Sequence, residues 1–255
     1  MYLEKFITTI RSHWDDFENP TLPRSTKLRH LTESVDGMAT ENIGFLLNYA
    51  ASLMEPGECY MEVGTWKGRT LRYAMEGNTD KEFFACDNFS QFIEQRKLSN
   101  LFSPREPKRT LRRVLREASR QYRVTFLDGD FREILSKFQK TIGVYFYDGG
   151  HTFRDQYDGL EFVLPHMVPE SLIVVDDTNP YAKGLNESEA REANKRWLLE
   201  HTDWKLLFDL PSPVRDRGWH NGIQVLVSYP RFRGHPRRGT EVWASNCTGL
   251  LSPSV

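Results

Sequence analysis

The spacing of apolar residues along the chain changes from helical to alternating near residue 58. Before that point, apolar side chains recur at helical offsets within residues 2–17 and again within residues 40–54. The interval at residues 18–36 is polar and contains two prolines, and we interpret it as a loop or lid. The Pro56-Gly57 pair ends the second predicted helix.

From residue 58 onward, short apolar runs alternate with helix-like segments. The runs are residues 59–63, 83–86, 124–127, 142–147, 172–175, 205–208 and 223–227. Helical patterns occupy residues 68–75, 110–122, 153–164 and 187–200. This alternation predicts an α/β fold, a doubly wound, mostly parallel sheet of seven strands with helices on both faces. Residues 211–221 join the last two runs without a helix, which predicts a hairpin and one antiparallel strand.

The pattern divides the chain into three parts. Residues 1–39 form an N-terminal helix and lid, and residues 40–230 form the main domain, with a long insertion at 90–123. Residues 231–255 are basic, and we expect a flexible tail there. The aromatic-rich first helix would pack on its own core or on a second copy, so the pattern leaves a homo-oligomer open.

Composition narrows the class of protein. The chain has 255 residues, 39% of them hydrophobic, and a formal net charge of −1. Near-neutral charge gives no general attraction to nucleic acid or anionic membrane, and no apolar run approaches the roughly 20 residues of a membrane span. The first residues mix charges into the apolar stretch, unlike a secretory signal. Three cysteines without a C-x-x-C pair favour a reducing, cytoplasmic location.

The first run leads into a glycine loop. Glu62, Gly64 and Gly68 give the spacing E-x-G-x-x-x-G between a strand and a helix start, with Thr65 inside the loop. Glycine permits close approach of a ligand, and a helix N-terminus offers free N–H groups. Trp66 stands where a dinucleotide site has its second glycine, which argues against an NAD-dependent oxidoreductase. A plain strand-to-helix turn is the alternative interpretation.

The second and third runs also end in acidic residues. Asp87 follows the second strand, 25 residues after Glu62, and is placed to accept hydrogen bonds from ribose hydroxyls. Asp130 follows the third strand within Asp128-Gly129-Asp130.

With these motifs the chain resembles the class I S-adenosylmethionine-dependent methyltransferases over about residues 40–230. The resemblance implies that the Gly64–Gly68 loop holds the methionine part of the cofactor, Asp87 the ribose and Asp130 the adenine edge. The cofactor contacts expected from it come from Glu62, Gly64, Thr65, Gly68, Asp87, Asp130 and Asp148.

Three aspartates end the fourth and fifth strands. Asp148 follows the fourth, and Asp176 and Asp177 follow the fifth. Parallel strands open their carboxyl ends on one edge, so these side chains should converge. Their mutual repulsion would be relieved by a divalent cation, and hard oxygen ligands suit Mg²⁺. The alternative is that some of them only cap helices or stay solvated.

The spacing from Asp148 to Asp176 and Asp177 resembles that of metal-dependent O-methyltransferases. The segments EVGTWKG and DGGHTFRDQYDGL are similar to signature segments of the macrolide-sugar and cephalosporin-biosynthesis methyltransferases. The spacing of the aspartates also resembles that of catechol O-methyltransferase. The resemblance implies Mg²⁺ held by the three aspartates. Asp177 departs from the catechol enzymes, which have asparagine there, and adds negative charge.

His151 is the candidate general base. It lies three residues after Asp148, at the offset where the catechol enzymes carry a base lysine. Histidine has a near-neutral ordinary pKa and can take a hydroxyl proton at pH 7. Alternatively, His151 caps the following helix or only contacts a metal-bound water. Asp155, Tyr157 and His220 are weaker candidates for the base.

Residues 105–123 carry eight Lys or Arg residues on a helical pattern. A solvated basic face is the plainest interpretation, and a site for an anionic substrate or RNA is the alternative. Aromatic stacking residues are sparse there, which argues against a nucleic-acid partner. The sequence thus predicts a Mg²⁺-dependent O-methyltransferase acting on a small polyhydroxylated acceptor, a sugar or a catechol-like ring. The alternatives are a metal-independent enzyme, an RNA-directed enzyme and a catalytically silent cofactor-binding domain.

Overall fold

The computed structural model describes residues 1–90, 105–180, 187–212 and 217–229. Its helices are α1 (Leu3–Thr9), α2 (Arg29–Ser34), α3 (Glu41–Ser52), α4 (Arg69–Met75), α5 (Arg105–Ala118), α6 (Phe131–Leu135), α7 (Phe153–Val163) and α8 (Glu187–Glu200). Its strands are β1 (Glu58–Val63), β2 (Glu82–Asp87), β3 (Arg123–Asp128), β4 (Thr141–Tyr147), β5 (Met167–Val175), β6 (Trp204–Leu210) and β7 (Ile223–Ser228).

The seven strands form one sheet in the order β3-β2-β1-β4-β5-β7-β6. The first five strands of the chain pair in parallel, and β7 runs antiparallel to both β5 and β6. This confirms the predicted mostly parallel sheet with one antiparallel strand. The order reverses between β1 and β4, and the carboxyl ends of strands at such a switch point are where ligands bind in open α/β sheets.

Side chains of the central strands alternate between two apolar cores. Tyr60, Phe83 and Val144 join one cluster, which covers the face packed by α1, α3 and α4. Met61, Phe84 and Tyr145 join the other cluster, on the opposite face. Because these strands are buried on both faces, their sequences are nearly continuous apolar runs, as is typical of parallel sheets.

The first predicted helix is shorter in the structure than its apolar pattern suggested. α1 ends at Thr9, a 3-10 turn continues through His13, and Trp14 has extended backbone angles. The apolar pattern continues because Trp14 and Phe17 are buried in the chain's own core, although they no longer belong to a helix. Helical spacing of buried residues therefore overestimated the helix by about one turn.

The N-terminal segment packs on the main sheet domain. Trp14 donates from Nε1 to Asn42 Oδ1 at 2.7 Å, and Met38 lines the cleft described below. The division at residue 39 remains a prediction. The predicted tail at 231–255 and residues 91–104 of the predicted insertion lie outside the described residues. None of the helices described is both long and apolar enough to cross a membrane.

Helix α5 is amphipathic, as the pattern predicted. Leu111, Val114 and Ala118 are buried, and the intervening arginines face outward. Leu111 lies against Gly68, so this basic helix supports the start of α4 from outside the sheet.

Candidate active site

The glycine loop after β1 depends on two left-handed glycines. Gly64 has φ +88°, and a Cβ there would lie 1.8 Å from the backbone oxygen of Asp148. Gly68 has φ +89° and precedes α4, where a Cβ would lie 2.9 Å from Leu111 Cδ1. Any other residue at Gly64 would meet both a disfavoured backbone angle and the end of β4. The loop therefore brings the ends of β1 and β4 into direct contact.

Asp87 connects two loops at the end of β2. Its carboxylate accepts hydrogen bonds from Trp66 N at 2.7 Å and Phe89 N at 2.6 Å. Burial raises the pKa of Asp87, and the two backbone donors partly oppose that shift. The side chain thus holds the glycine loop and the segment after β2 in register, besides the ribose contact predicted from the sequence.

A cleft of about 390 Å³ opens at these strand ends. It is lined by Met38, Val63, Gly64, Trp66, Cys86, Asp87, Asn88, Phe89, Ser90, Gly129, Asp130, Phe131, Arg132, Asp148, Gly149, Gly150, His151, Asp155 and Asp177. A second cavity of about 480 Å³, between α8 and β6, contains none of the predicted site residues. The cleft joins the predicted cofactor loop to the predicted acidic cluster.

Four of the predicted cofactor residues line this cleft and three do not. Gly64, Asp87, Asp130 and Asp148 are among the lining residues. Glu62, Thr65 and Gly68 lie behind them, so their direct contact with a cofactor remains a prediction.

Glu62 supports the glycine loop from within the core. Its fully buried carboxylate accepts hydrogen bonds from Tyr60 Oη at 2.8 Å and Thr70 Oγ1 at 3.0 Å. These contacts tie β1 to the first turn of α4.

Asp130 has a local partner as well as a place in the cleft. Its Oδ1 accepts a hydrogen bond from Arg132 N at 2.9 Å, and this contact caps the N-terminus of helix α6. Arg132 pairs with Asp155 at 2.6 Å and with Asp158 at 2.7 Å, which fixes α6 against α7. Asp155, a weaker candidate base in the sequence, is therefore engaged by a guanidinium.

The acidic cluster differs in membership from the sequence prediction. Asp148, His151 and Asp177 each present a ligand atom, and these atoms lie within 4.8 Å of one another. Asp176 is outside this group: it is 5% exposed, and its Oδ1 accepts the backbone N–H of Asp177 at 2.8 Å. Its part in holding a metal therefore remains a prediction, while His151 joins the cluster.

The pKa values of the two carboxylates in the cluster are shifted in opposite directions. Removal from water, followed by the charges of Asp176 and Asp177, holds the pKa of Asp148 well above its ordinary range. Burial would also raise the pKa of Asp177, but His151, with Nε2 2.9 Å from Oδ2, and Asn221 hold it below that range. Asp148 is the member of the cluster that lacks a cationic partner among the described residues.

The donor set fits a hard divalent cation. Asp148 and Asp177 supply carboxylate oxygens, which Mg²⁺ prefers, and a cation would relieve the repulsion on Asp148. His151 offers an imidazole nitrogen, which suits Mg²⁺ poorly. We therefore expect the two aspartates to hold the ion and His151, paired with Asp177, to serve in proton transfer instead.

Several residues in or beside the cleft carry no sequence pattern that predicts a site role. Met38 and Phe89 carry no motif, and Asn221 reaches Asp177 from the hairpin between β6 and β7. The sequence gives Trp66 only as an argument against a dinucleotide site, yet it lines the cleft. The sequence signal for Asn221 is its position beside His220, a weaker candidate base.

The buried Glu62 gives a pH-dependent prediction. Burial raises the pKa of Glu62 to about 7, while the hydrogen bonds from Tyr60 and Thr70 oppose that shift. Because the pKa of Glu62 is higher in the folded than in the unfolded chain, its contribution to stability is fully present below pH 4.5 and is lost as pH rises through 7. Between pH 4.5 and 8, the free energy of unfolding of the wild type should therefore fall by about 3 kcal/mol relative to that of Glu62→Gln.

Urea unfolding across this pH range measures the difference. Glu117→Gln, on the exposed end of α5, is the control and should follow the wild-type curve. Parallel curves for wild type and Glu62→Gln would show that the Glu62 pKa is not raised.

The sequence matches a known protein family over part of its length. A sequence profile for a family described as a methyltransferase domain matches residues 61–178. No curated protein matches the sequence significantly.

Solved structures share the fold at low identity. The O-methyltransferase TomG from Streptomyces achromogenes, in complex with S-adenosylmethionine, is 15% identical with a TM-score of 0.57, covering 90% of this chain and 100% of that one. An O-methyltransferase from Bacillus cereus with S-adenosylhomocysteine is 11% identical, with a TM-score of 0.57 over 89% and 99%. A Podospora anserina methyltransferase with S-adenosylhomocysteine is 13% identical, with a TM-score of 0.57 over 90% and 96%.

Residues 61–178, from within β1 to just past the end of β5, match the methyltransferase-domain profile. This match, the strand order and the glycine loop together support the class I S-adenosylmethionine-dependent methyltransferase inferred from the sequence.

Proposed function

We propose that this protein is a Mg²⁺-dependent O-methyltransferase that methylates a hydroxyl group of a small polyhydroxylated molecule, a sugar or a catechol-like ring. The observation that carries the proposal is the joining of two features in one cleft. Gly64 and Asp87 line one part of it, and Asp148, His151 and Asp177 line another. Two of the fold relatives cited above are named O-methyltransferases, which supports oxygen as the acceptor atom.

The chain's own residues divide the work of the reaction. Gly64, Asp87 and Phe89 shape the cofactor end of the cleft, and the loop at Gly149 and Gly150 leads from there to His151. His151 Nε2 lies 2.9 Å from Asp177 Oδ2, so Asp177 orients the imidazole and would stabilise its protonated form. In this proposal, His151 accepts the proton of the acceptor hydroxyl as its oxygen takes the methyl group from the sulfonium sulfur, and S-adenosylhomocysteine leaves.

Asp148 and Asp177 would hold the divalent cation. When bound, such an ion lowers the pKa of a coordinated hydroxyl. Met38 and Trp66 also line the cleft. Holding donor and acceptor in line within one cleft would supply much of the rate enhancement of a bimolecular transfer.

Removal of the cation tests the proposal directly. Purified protein is incubated with S-adenosylmethionine and a panel of sugars and catechols, with Mg²⁺ or with EDTA, and methylated products are measured. We expect turnover of at least one vicinal diol with Mg²⁺ and none with EDTA. His151→Gln should reduce kcat by about 100- to 10,000-fold, whereas His30→Gln, on exposed α2, should not. Full turnover in EDTA would overturn the proposal.

A further inference from the structure

The hairpin between β6 and β7 reaches the candidate metal site. Asn221 donates from Nδ2 to Asp177 Oδ1 at 2.7 Å, while Asp177 Oδ2 faces His151 Nε2 at 2.9 Å. An ionised carboxylate can only accept hydrogen bonds, so the amide must turn its N–H₂ group toward it. Both oxygens of Asp177 are thus oriented by side chains from different elements.

The backbone on both sides of this contact is unusual. Asp177 has φ +56° and His220 has φ +57°, left-handed angles that non-glycine residues rarely adopt. Such angles persist only where the surroundings impose them, and they are concentrated at functional sites.

The hairpin is locked against the end of β5. Thr178 N donates to Gly222 O at 3.2 Å, and Asn179 Nδ2 donates to Ser212 O at 2.6 Å. Gly222 has φ +87°, and a Cβ there would lie 2.8 Å from the Asn179 backbone. This close approach of β7 to the chain after Asp177 places Asn221 beside the carboxylate.

The N-terminal segment supports the hairpin from its other side. Gly218 O accepts from Thr40 Oγ1 at 2.8 Å and from Asn42 Nδ2 at 3.1 Å. Trp219 is 1% exposed, and its Nε1 donates to Phe17 O at 2.9 Å. A continuous set of contacts therefore leads from the N-terminal residues through the hairpin to Asp177.

We propose that Asn221 is a positioning residue for the divalent cation, because it fixes the Asp177 carboxylate, which has an oxygen within 4.8 Å of ligand atoms of Asp148 and His151. The proposal rests on the proposed Mg²⁺-dependent function. In metalloproteins, hydrogen bonds to ligating carboxylates orient the ligand, and their loss typically weakens metal binding by about 10- to 100-fold.

The test is Mn²⁺ binding, measured by electron paramagnetic resonance on the full chain saturated with S-adenosylhomocysteine. Asn221→Ala removes the amide, and Asn221→Leu removes it while keeping the side-chain bulk. Both variants should bind Mn²⁺ about 10- to 100-fold more weakly than wild type, with S-adenosylhomocysteine affinity within about twofold. Asn19→Ala, at an exposed position of the N-terminal segment, is the matched control and should bind as wild type does.

The outcomes separate this inference from the proposed function. Mn²⁺ binding to wild type that is unchanged in both variants, each still binding S-adenosylhomocysteine, would overturn the role of Asn221 alone. No Mn²⁺ binding to wild type would overturn the proposed metal dependence and this inference together.

Discussion

Asp148→Asn is expected to lower kcat/KM for methyl transfer by about 1,000-fold, because a metal-ligating carboxylate contributes several kcal/mol to the transition state. Asp148 sits at the switch point of the sheet, where its N–H donates to Val63 O at 2.9 Å. That backbone contact is independent of the side chain, so the variant should keep the fold. A coupled methyltransferase assay at saturating S-adenosylmethionine measures the loss.

The same variant should be more stable than wild type in cation-free buffer. Removal from water and the nearby carboxylates hold the pKa of Asp148 well above its ordinary range, so the ionised form opposes folding near pH 7. A neutral amide removes that repulsion, and Tm should rise. Asp15→Asn, at an exposed position, is the control for both measurements. Retained activity, or a lower Tm without cation, would contradict the assignment of Asp148 to a metal site.

Gly64→Ala should abolish detectable cofactor binding and destabilise the fold. The backbone angle of +88° costs an L-residue about 1–2 kcal/mol. The added Cβ would also lie 1.8 Å from the Asp148 backbone oxygen, so β1 and β4 must separate, at a further cost of about 1–3 kcal/mol. Urea unfolding and calorimetric titration with S-adenosylhomocysteine measure the two effects.

Gly77→Ala provides a matched control. Gly77 has φ +76°, but a Cβ there meets nothing within 4 Å. It should therefore lose only the backbone contribution, about 1–2 kcal/mol, and keep its cofactor affinity. If Gly64→Ala were no more harmful than Gly77→Ala, the close approach between β1 and β4 would not be required for binding.

The sheet and the strand-end residues were accessible from the sequence. Buried parallel strands read as apolar runs, and their ends carry Gly64, Asp87, Asp130 and Asp148, which line the cleft. The rule that parallel strands open on one edge is enough to bring such residues together.

The finer arrangement of the acidic cluster was not accessible in the same way. Asp176 and Asp177 are adjacent, and which of them joins Asp148 and His151 in the cluster depends on the left-handed backbone of Asp177. A non-glycine residue gives no local signal for that angle. Likewise, the contact of Asn221 with Asp177 spans 44 residues of sequence and depends on β7 pairing with β5.

The N-terminal region shows the same limit. Trp14, Phe17 and Trp219 pack with ring centroids 5.3 Å apart, although about 200 residues separate the first two from the third. Apolar spacing identified Trp14 and Phe17 as buried residues. It could not show that they leave the helix to support a hairpin near the active site.

Calorimetric titration of Mg²⁺ into the wild-type protein saturated with S-adenosylhomocysteine tests the central claim most directly. The account predicts one saturable site per chain, lost in Asp148→Asn and in Asp177→Asn and retained in Asp15→Asn. Absence of saturable Mg²⁺ binding in a sample that binds S-adenosylhomocysteine would contradict the claim that Asp148 and Asp177 form a metal site.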